Sequence, residues 1–228
     1  MDQLPLNISP RILYAPEGFL LHDGVQQLVE LCENTIRRDD YKTLFITGAA
    51  RSGKTHLAIL LAEICARNGL YPKLLDGKSL TGKLAELIPV DSRDVLIVDD
   101  AQEYFDAIAP GQSGPLVGCV ELYRKAKGGI IFLSSREIEE FSFDEHIRSR
   151  LLPGGGLSIK TPAAEYLPEL IDRMAKQRGI KLTEKKIAYL LKRLSRNIQE
   201  IEEYIERVNY LSSVFGRSIK FPLLSDAL

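Results

Sequence analysis

The sequence is poor in the residues that build covalent or metal-held frameworks. Its three cysteines, Cys32, Cys65 and Cys119, stand far apart without a C-x-x-C pair. The three histidines, His22, His56 and His146, show no spacing that groups them with other metal donors. Neither a disulfide framework nor a zinc site is expected, and a cytoplasmic location is. An excess of one charge is also missing. Thirty Lys and Arg face 31 Asp and Glu, so no global field draws the chain onto nucleic acid or an anionic membrane, and any DNA contact must be local. Arg37 and Arg38 in "IRRDDYK" are the local candidates, although a solvated turn is the simpler role for them. Long apolar runs are absent, and the N-terminus lacks the basic segment and apolar stretch of a signal peptide, so neither a membrane span nor secretion is expected. There is no internal repeat, and the one linker-like stretch, "APGQSGP" at 109–115, reads as a surface loop.

What is present suffices for one good core and a small second one, since 45% of 228 residues are hydrophobic. Five short apolar, β-branched runs, at 41–48, 71–77, 94–100, 129–135 and 156–161, read as buried strands of the parallel-sheet kind. Amphipathic stretches of helix length lie between them, notably 54–69, closed by a C-cap-like Gly69, and 114–129. This alternation predicts a layered α/β fold with right-handed crossovers. At Thr161-Pro162 the pattern changes, with Thr161 as N-cap and Pro162 at the first helical position. Beyond it, Leu167, Leu170, Ile171 and Met174 recur at helical spacing. So do Ile187, Leu190, Leu191 and Leu194, and then Ile198, Ile201, Ile205, Val208 and Leu211. Three helices are expected, with "FPLLSDAL" as a terminal turn. The predicted organisation is a tail at 1–10, an α/β domain at 11–161 and an all-helical domain at 162–228.

The strongest chemical signal is "GAARSGKT", Gly48 to Thr55, which fits G-x-x-x-x-G-K-[ST] between a strand and a helix. Gly48, Ser52 and Gly53 belong to a loop whose backbone N–H groups can face phosphate oxygens, aided by the positive end of the following helix. Lys54 is expected to reach the β- and γ-phosphates, and Thr55 to ligate Mg²⁺. The cofactor is thus ATP or ADP with Mg²⁺. "DVLIVDD" supplies the partner strand, with Asp99 as the carboxylate on the Mg²⁺ side and Asp100 placed to orient an attacking water.

Five segments, "GAARSGKTHL", "DVLIVDDAQEYF", "GGIIFLSSREIEEF", "HIRSRLLPGG" and "NIQEIEEYIERV", resemble in order and spacing the nucleotide-binding region of the DnaA-type AAA+ ATPases. The resemblance runs from about residue 12 to the C-terminus. It implies a five-stranded parallel base domain and a helical lid, and His56, Leu57 and Gln102 are typical of the DnaA branch. The initiator's helix-turn-helix DNA-binding domain and helicase-recruiting domain have no counterpart in the sequence. The stretch between Asp76 and Asp94 is also shorter than the initiator's insertion that grips single-stranded DNA. Sequence-specific DNA binding is therefore not expected.

That minimal plan is similar to the Hda branch, regulatory proteins made of a AAA+ module preceded by a peptide that binds the sliding clamp. "QLPL" resembles that peptide. The resemblance implies Gln3 as polar anchor, Leu4 and Leu6 as apolar plugs and Pro5 as stiffener, with the clamp and DnaA as partners and self-association left open. "HIRSRL" resembles the segment carrying the arginine finger, which implies that Arg150 acts on ATP held by DnaA, with Arg148 as the competing candidate. Two departures bear on the chain's own turnover. Ser135 stands where an aspartate usually senses the γ-phosphate. Gln199 stands where a lid arginine is expected, with Arg196 three residues away. Slow intrinsic hydrolysis is expected. Two other readings stay open, an ATPase resembling helicase loaders that acts on single-stranded DNA, and a scaffold indifferent to nucleotide.

Overall fold

The computed structural model describes residues 18–108, 114–143, 145–151, 156–215 and 219–228. Spatial contacts divide the chain into two units that meet in sequence at Thr161 and Pro162. In the first unit the elements run α1 (Asp23–Ile36), β1 (Lys42–Thr47), α2 (Lys54–Arg67), β2 (Tyr71–Asp76), α3 (Gly77–Lys83), β3 (Asp94–Asp99), α4 (Ala101–Asp106), α5 (Gly114–Ala126), β4 (Gly129–Ser134), α6 (Glu145–Leu151) and β5 (Leu157–Ser158). The five strands form one parallel sheet in the order β2-β3-β4-β1-β5. The layered α/β architecture expected from the strand-helix alternation is the one observed.

Strand side chains alternate between two faces. Leu44, Ile46, Val95, Ile97, Ile131 and Leu133 pack with Val25, Cys32, Leu57 and Leu61 of α1 and α2. Phe45, Leu96, Val98, Ile130 and Phe132 pack on the other side with α4, α5 and α6. At the centre of that second layer, the ring of Phe105 lies 5.3 Å from Phe132, 5.1 Å from Phe141 and 5.2 Å from Phe143. This cluster fixes α4, the helix that directly follows Asp99 and Asp100. All three cysteines are buried free thiols, and burial pushes Cys32 and Cys65 up to about 12. Among the described residues no helix is long and apolar enough to cross a membrane.

Two details of the strand reading change. β2 is not buried: it lies at the sheet edge, and Tyr71 and Leu74 stand exposed. β5, at the other edge, extends over two residues only. Edge strands have a neighbour on one side alone, which removes the all-round burial that a continuous apolar run implies.

The second unit carries α7 (Leu167–Gln177), α8 (Glu184–Leu191), α9 (Ile198–Phe215) and α10 (Phe221–Asp226). Its core joins Leu167, Ile171, Ala175, Leu190, Ile201, Tyr204, Ile205 and Val208. The expected start at Thr161-Pro162 is displaced. A single 3-10 turn spans Ala164–Tyr166, and Pro168, rather than Pro162, occupies the first turn of α7. "FPLLSDAL" forms a helix where a turn was expected. Leu223 and Leu224 bury against the core, and the Tyr204 hydroxyl donates to Leu224 O at 2.7 Å. Leu194 falls beyond the end of α8, yet packs against the same core.

Candidate functional site

The carboxyl ends of the parallel strands frame the site, as expected for an open α/β sheet. β1 ends at Thr47, residues 48–53 turn, and α2 begins at Lys54. The turn is tight. A Cβ on Gly48 would lie 2.5 Å from Ser52 Oγ, and Gly53 sits at φ +98°, which side-chain-bearing residues seldom adopt. Gly48 N–H donates to Ser134 O at 3.1 Å, tying the loop to the end of β4. Lys54 is only 7% exposed, and its Nζ donates to Gly48 O at 2.9 Å and Ala49 O at 3.0 Å. Burial lowers its pKa, while Asp100 and Asp99 oppose that shift. The ammonium therefore rests on neutral carbonyls, weaker acceptors than a phosphate oxygen.

Asp99, at the end of β3, accepts a hydrogen bond from the Thr55 hydroxyl. Its carboxyl is raised chiefly by burial, with the Thr55 hydrogen bond opposing and Asp100 adding to the rise. Asp99 Oδ1 and Ser52 Oγ are both buried without a hydrogen-bond partner. Each such orphan costs about 1–3 kcal/mol, and both belong to the P-loop constellation. Thr55 and Asp99 supply hard oxygen donors suited to Mg²⁺, an ion that takes one or two protein ligands and completes its shell with phosphate and water. Among the described residues there is no group of three or more His, Cys, Asp and Glu side chains that could hold a metal ion.

Asp100 occupies the left-handed region, φ 47° and ψ 43°, as N-cap of α4. Its carbonyl passes so close to Gly77 that a Cβ there would lie 2.3 Å away. Gln102 completes the site in a way the sequence did not announce. Its Oε1 accepts from Ser135 N–H and its Nε2 donates to Asp100 Oδ1, each at 3.0 Å. A backbone N–H can only donate, so the orientation of the carboxamide is fixed by chemistry. Ser135 itself is exposed at the end of β4. His56 is partly buried on α2, and burial lowers its pKa. The structure thus gathers Gly48, Ser52, Gly53, Lys54, Thr55, Asp99, Asp100 and Ser135 at one end of the sheet.

Arg150 belongs to another cluster. Its Nε donates to Glu121 Oε1 of α5 at 2.7 Å. Arg148, by contrast, donates to the backbone carbonyls of Phe141 at 3.2 Å and Glu139 at 3.4 Å, a structural role. In the second unit, Gln199 lies in the first turn of α9. Its N–H is capped by Asn197 Oδ1 at 2.8 Å and its side chain donates to Glu203 at 2.9 Å. Arg196 precedes α9 rather than lying on it, and lines a small cavity of about 180 Å³ with Leu167, Ile171 and Leu194. Arg178, which sequence reading did not single out, is buried and bonds Glu202 and Glu206 at 3.1 and 3.0 Å. His22 accepts from Gly24 N–H as the N-cap of α1. Arg37 and Arg38 pair with Glu33 and Asp40 on the surface. Gln3, Leu4, Pro5 and Leu6 lie outside the described residues, as do 109–113 of the expected surface loop.

Comparison with known proteins gives three kinds of match. Residues 157–228 match the family model described as the Hda lid domain. The chromosomal replication initiator protein DnaA of Nautilia profundicola is 27% identical over 189 residues, which is 78% of this chain and 43% of that protein. The chain spans less than half the length of the curated relatives it matches. Among solved structures, domain III of DnaA from Thermotoga maritima superposes with a TM-score of 0.74 at 17% identity, covering 94% of this chain and 95% of that one. AMPPCP-bound DnaA from Aquifex aeolicus gives 0.67 at 20% identity, covering 93% and 70%.

Proposed function

We propose that this chain is a AAA+ protein of the DnaA/Hda type and acts as an Hda-like negative regulator of replication initiation. In this reading a nucleotide-bound adaptor docks on the DNA-loaded sliding clamp through Gln3, Leu4, Pro5 and Leu6. It then stimulates hydrolysis of ATP held by DnaA. The observation that carries the reading is the Hda-type lid at residues 157–228, in one chain with a complete P-loop constellation.

The nucleotide serves to hold the module in its working form. Backbone N–H groups of the 48–53 turn and the Lys54 ammonium, which now rests on the Gly48 and Ala49 carbonyls, would hold the nucleotide's phosphates. Thr55 and Asp99 would hold Mg²⁺, whose charge offsets that of the phosphates. Asp100, oriented by Gln102, positions a water; the exposed Ser135 and the capped Gln199 offer little further stabilisation, so intrinsic turnover is slow. Arg150 instead meets the charge that develops on the γ-phosphoryl group of DnaA-bound ATP. An arginine supplied in trans accelerates such reactions by roughly 10³–10⁵. The protein acts in the cytoplasm, on the clamp.

The test follows labelled ATP bound to DnaA with DNA-loaded clamp, adding the chain intact or with Gln3→Ala and Leu6→Ala together. Stimulation that depends on the tail and the clamp supports the adaptor. Indifference to the clamp, together with ATP turnover by the chain itself on single-stranded DNA, contradicts it and favours the helicase-loader-like reading.

A further inference from the structure

An arginine finger faces two opposed demands. Left free, a long guanidinium side chain samples many rotamers and must be ordered at the moment of reaction; neutralised by a carboxylate, it brings no net charge to the transition state. The contact with Glu121 meets the first. Glu121 Oε1 accepts from Arg150 Nε at 2.7 Å, while its other oxygen, Oε2, is held by Arg124, with NH2 at 3.0 Å and Nε at 3.2 Å. The two arginines hold the Glu121 carboxyl below its ordinary range, the Arg150 hydrogen bond being the largest cause, so it is ionised at working pH. Two cations thus share one anion, so Glu121 is not given over to Arg150 alone.

The backbones on both sides of this contact are anchored. α5 buries Leu116, Cys119, Val120 and Tyr123 in the sheet-packed core, which turns Glu121 to the opposite side of the helix. α6 is fixed by Ile147 and Leu151, buried in the same core. A side-chain tether between two rigid helices determines orientation, because neither end moves with a loop. Arg150 and Glu121 are also partly shielded, at 25% and 22% side-chain exposure, whereas Arg124 is 60% exposed.

We propose that Glu121, itself held from its other oxygen by Arg124, is a positioning residue that holds Arg150 by its Nε edge for presentation to a γ-phosphate on another protein. This inference rests on the reading of Arg150 as a finger acting in trans. It assigns α5 a role in catalysis on the partner's nucleotide without contact to that nucleotide by Glu121.

The experiment titrates the full chain against DnaA carrying labelled ATP, with DNA-loaded clamp in excess, and reads the maximal stimulated rate and the half-saturating concentration separately. Glu121→Ala is expected to lower the maximal rate about tenfold, the scale of losing one orienting contact, with half-saturation changed less than twofold. Glu121→Gln, which keeps an oxygen to accept from Arg150 Nε, recovers at least half of the original rate. Thermal midpoints of both variants, measured with nucleotide, separate misfolding from mispositioning. A maximal rate unchanged in Glu121→Ala overturns the proposal, as does a rise in half-saturation alone, which would make Glu121 a docking contact, or failure of Glu121→Gln to recover. If Arg150→Ala leaves stimulation intact, the finger assignment falls and this proposal with it. If the unaltered chain fails to stimulate, the adaptor function itself is refuted.

Discussion

Changing Asp99 to Asn should stabilise the nucleotide-free protein and at the same time abolish its stabilisation by magnesium nucleotide. Asp99 is held in a mainly desolvated position at the end of β3, and one of its oxygens has no hydrogen-bond partner. Burial raises its pKa above the ordinary 3.8. A raised carboxyl means that the folded state binds the proton more tightly than the unfolded chain does. Its contribution to stability is therefore present at low pH and is lost as pH rises from the unfolded value through the folded one. Removing the buried charge while keeping an acceptor for Thr55 should return about 1 kcal/mol, or about 2–4 °C in thermal midpoint for a unit of this size. Nucleotide acts in the opposite direction, since a ligand at 100 times its Kd adds about 2.7 kcal/mol. The assay is thermal unfolding at pH 7.5 in chelator, and again in saturating ADP with Mg²⁺. Wild type should gain from Mg²⁺ and nucleotide, whereas Asp99→Asn should start higher and gain little from the metal. A lower midpoint for the variant in chelator, or an undiminished response to Mg²⁺, would refute the assignment of Asp99 as a desolvated carboxylate kept for a cation.

Three further outcomes are expected. Lys54→Ala should leave the fold intact, because the ammonium contacts only two loop carbonyls, but should weaken ADP binding at least a hundredfold by calorimetry; an affinity within fivefold of wild type would contradict the P-loop role. Arg178→Met should destabilise the lid by about 3 kcal/mol, since Glu202 and Glu206 lose a buried common partner, read as an early unfolding step by amide exchange in α7 and α9. Unchanged protection there would show that the pair is energetically neutral. Phe105→Ala should cost about 3–5 kcal/mol in denaturant unfolding, because its ring touches Phe45, Phe132, Phe141 and Phe143; a cost under 1 kcal/mol would mean that the aromatic layer collapses around the gap.

Motifs with a local mechanism were legible in the sequence. Gly48 and Gly53 are required by a backbone path that only glycine takes easily, so the turn could be placed before any tertiary contact was known. The apolar runs of β1, β3 and β4 announced buried strands because both faces of those strands are covered. The same reasoning failed at β2, whose edge position is a property of strand order and leaves no trace in six residues. "FPLLSDAL" was too short for periodicity to distinguish helix from turn, and its helix is held by the distant Tyr204 hydroxyl. The bridging roles of Gln102 and Glu121 were out of reach for a related reason. Their partners lie 33 and 29 residues away in the chain, and nothing local marks a glutamine or glutamate as a bridge. Arg148 and Arg150, two residues apart on one short helix, differ in their acceptors, backbone carbonyls for the first and a carboxylate for the second, a difference that no local pattern announces.

The central claim is that this chain does its chemistry on another protein's nucleotide, and single-turnover hydrolysis with label confined to DnaA tests it most directly. With DNA-loaded clamp present, the unaltered chain should convert DnaA-bound ATP to ADP roughly a thousandfold faster than DnaA alone, and Arg150→Ala should return the rate to that of DnaA alone while still binding nucleotide. Equal rates with and without the unaltered chain, or full stimulation by Arg150→Ala, would contradict it.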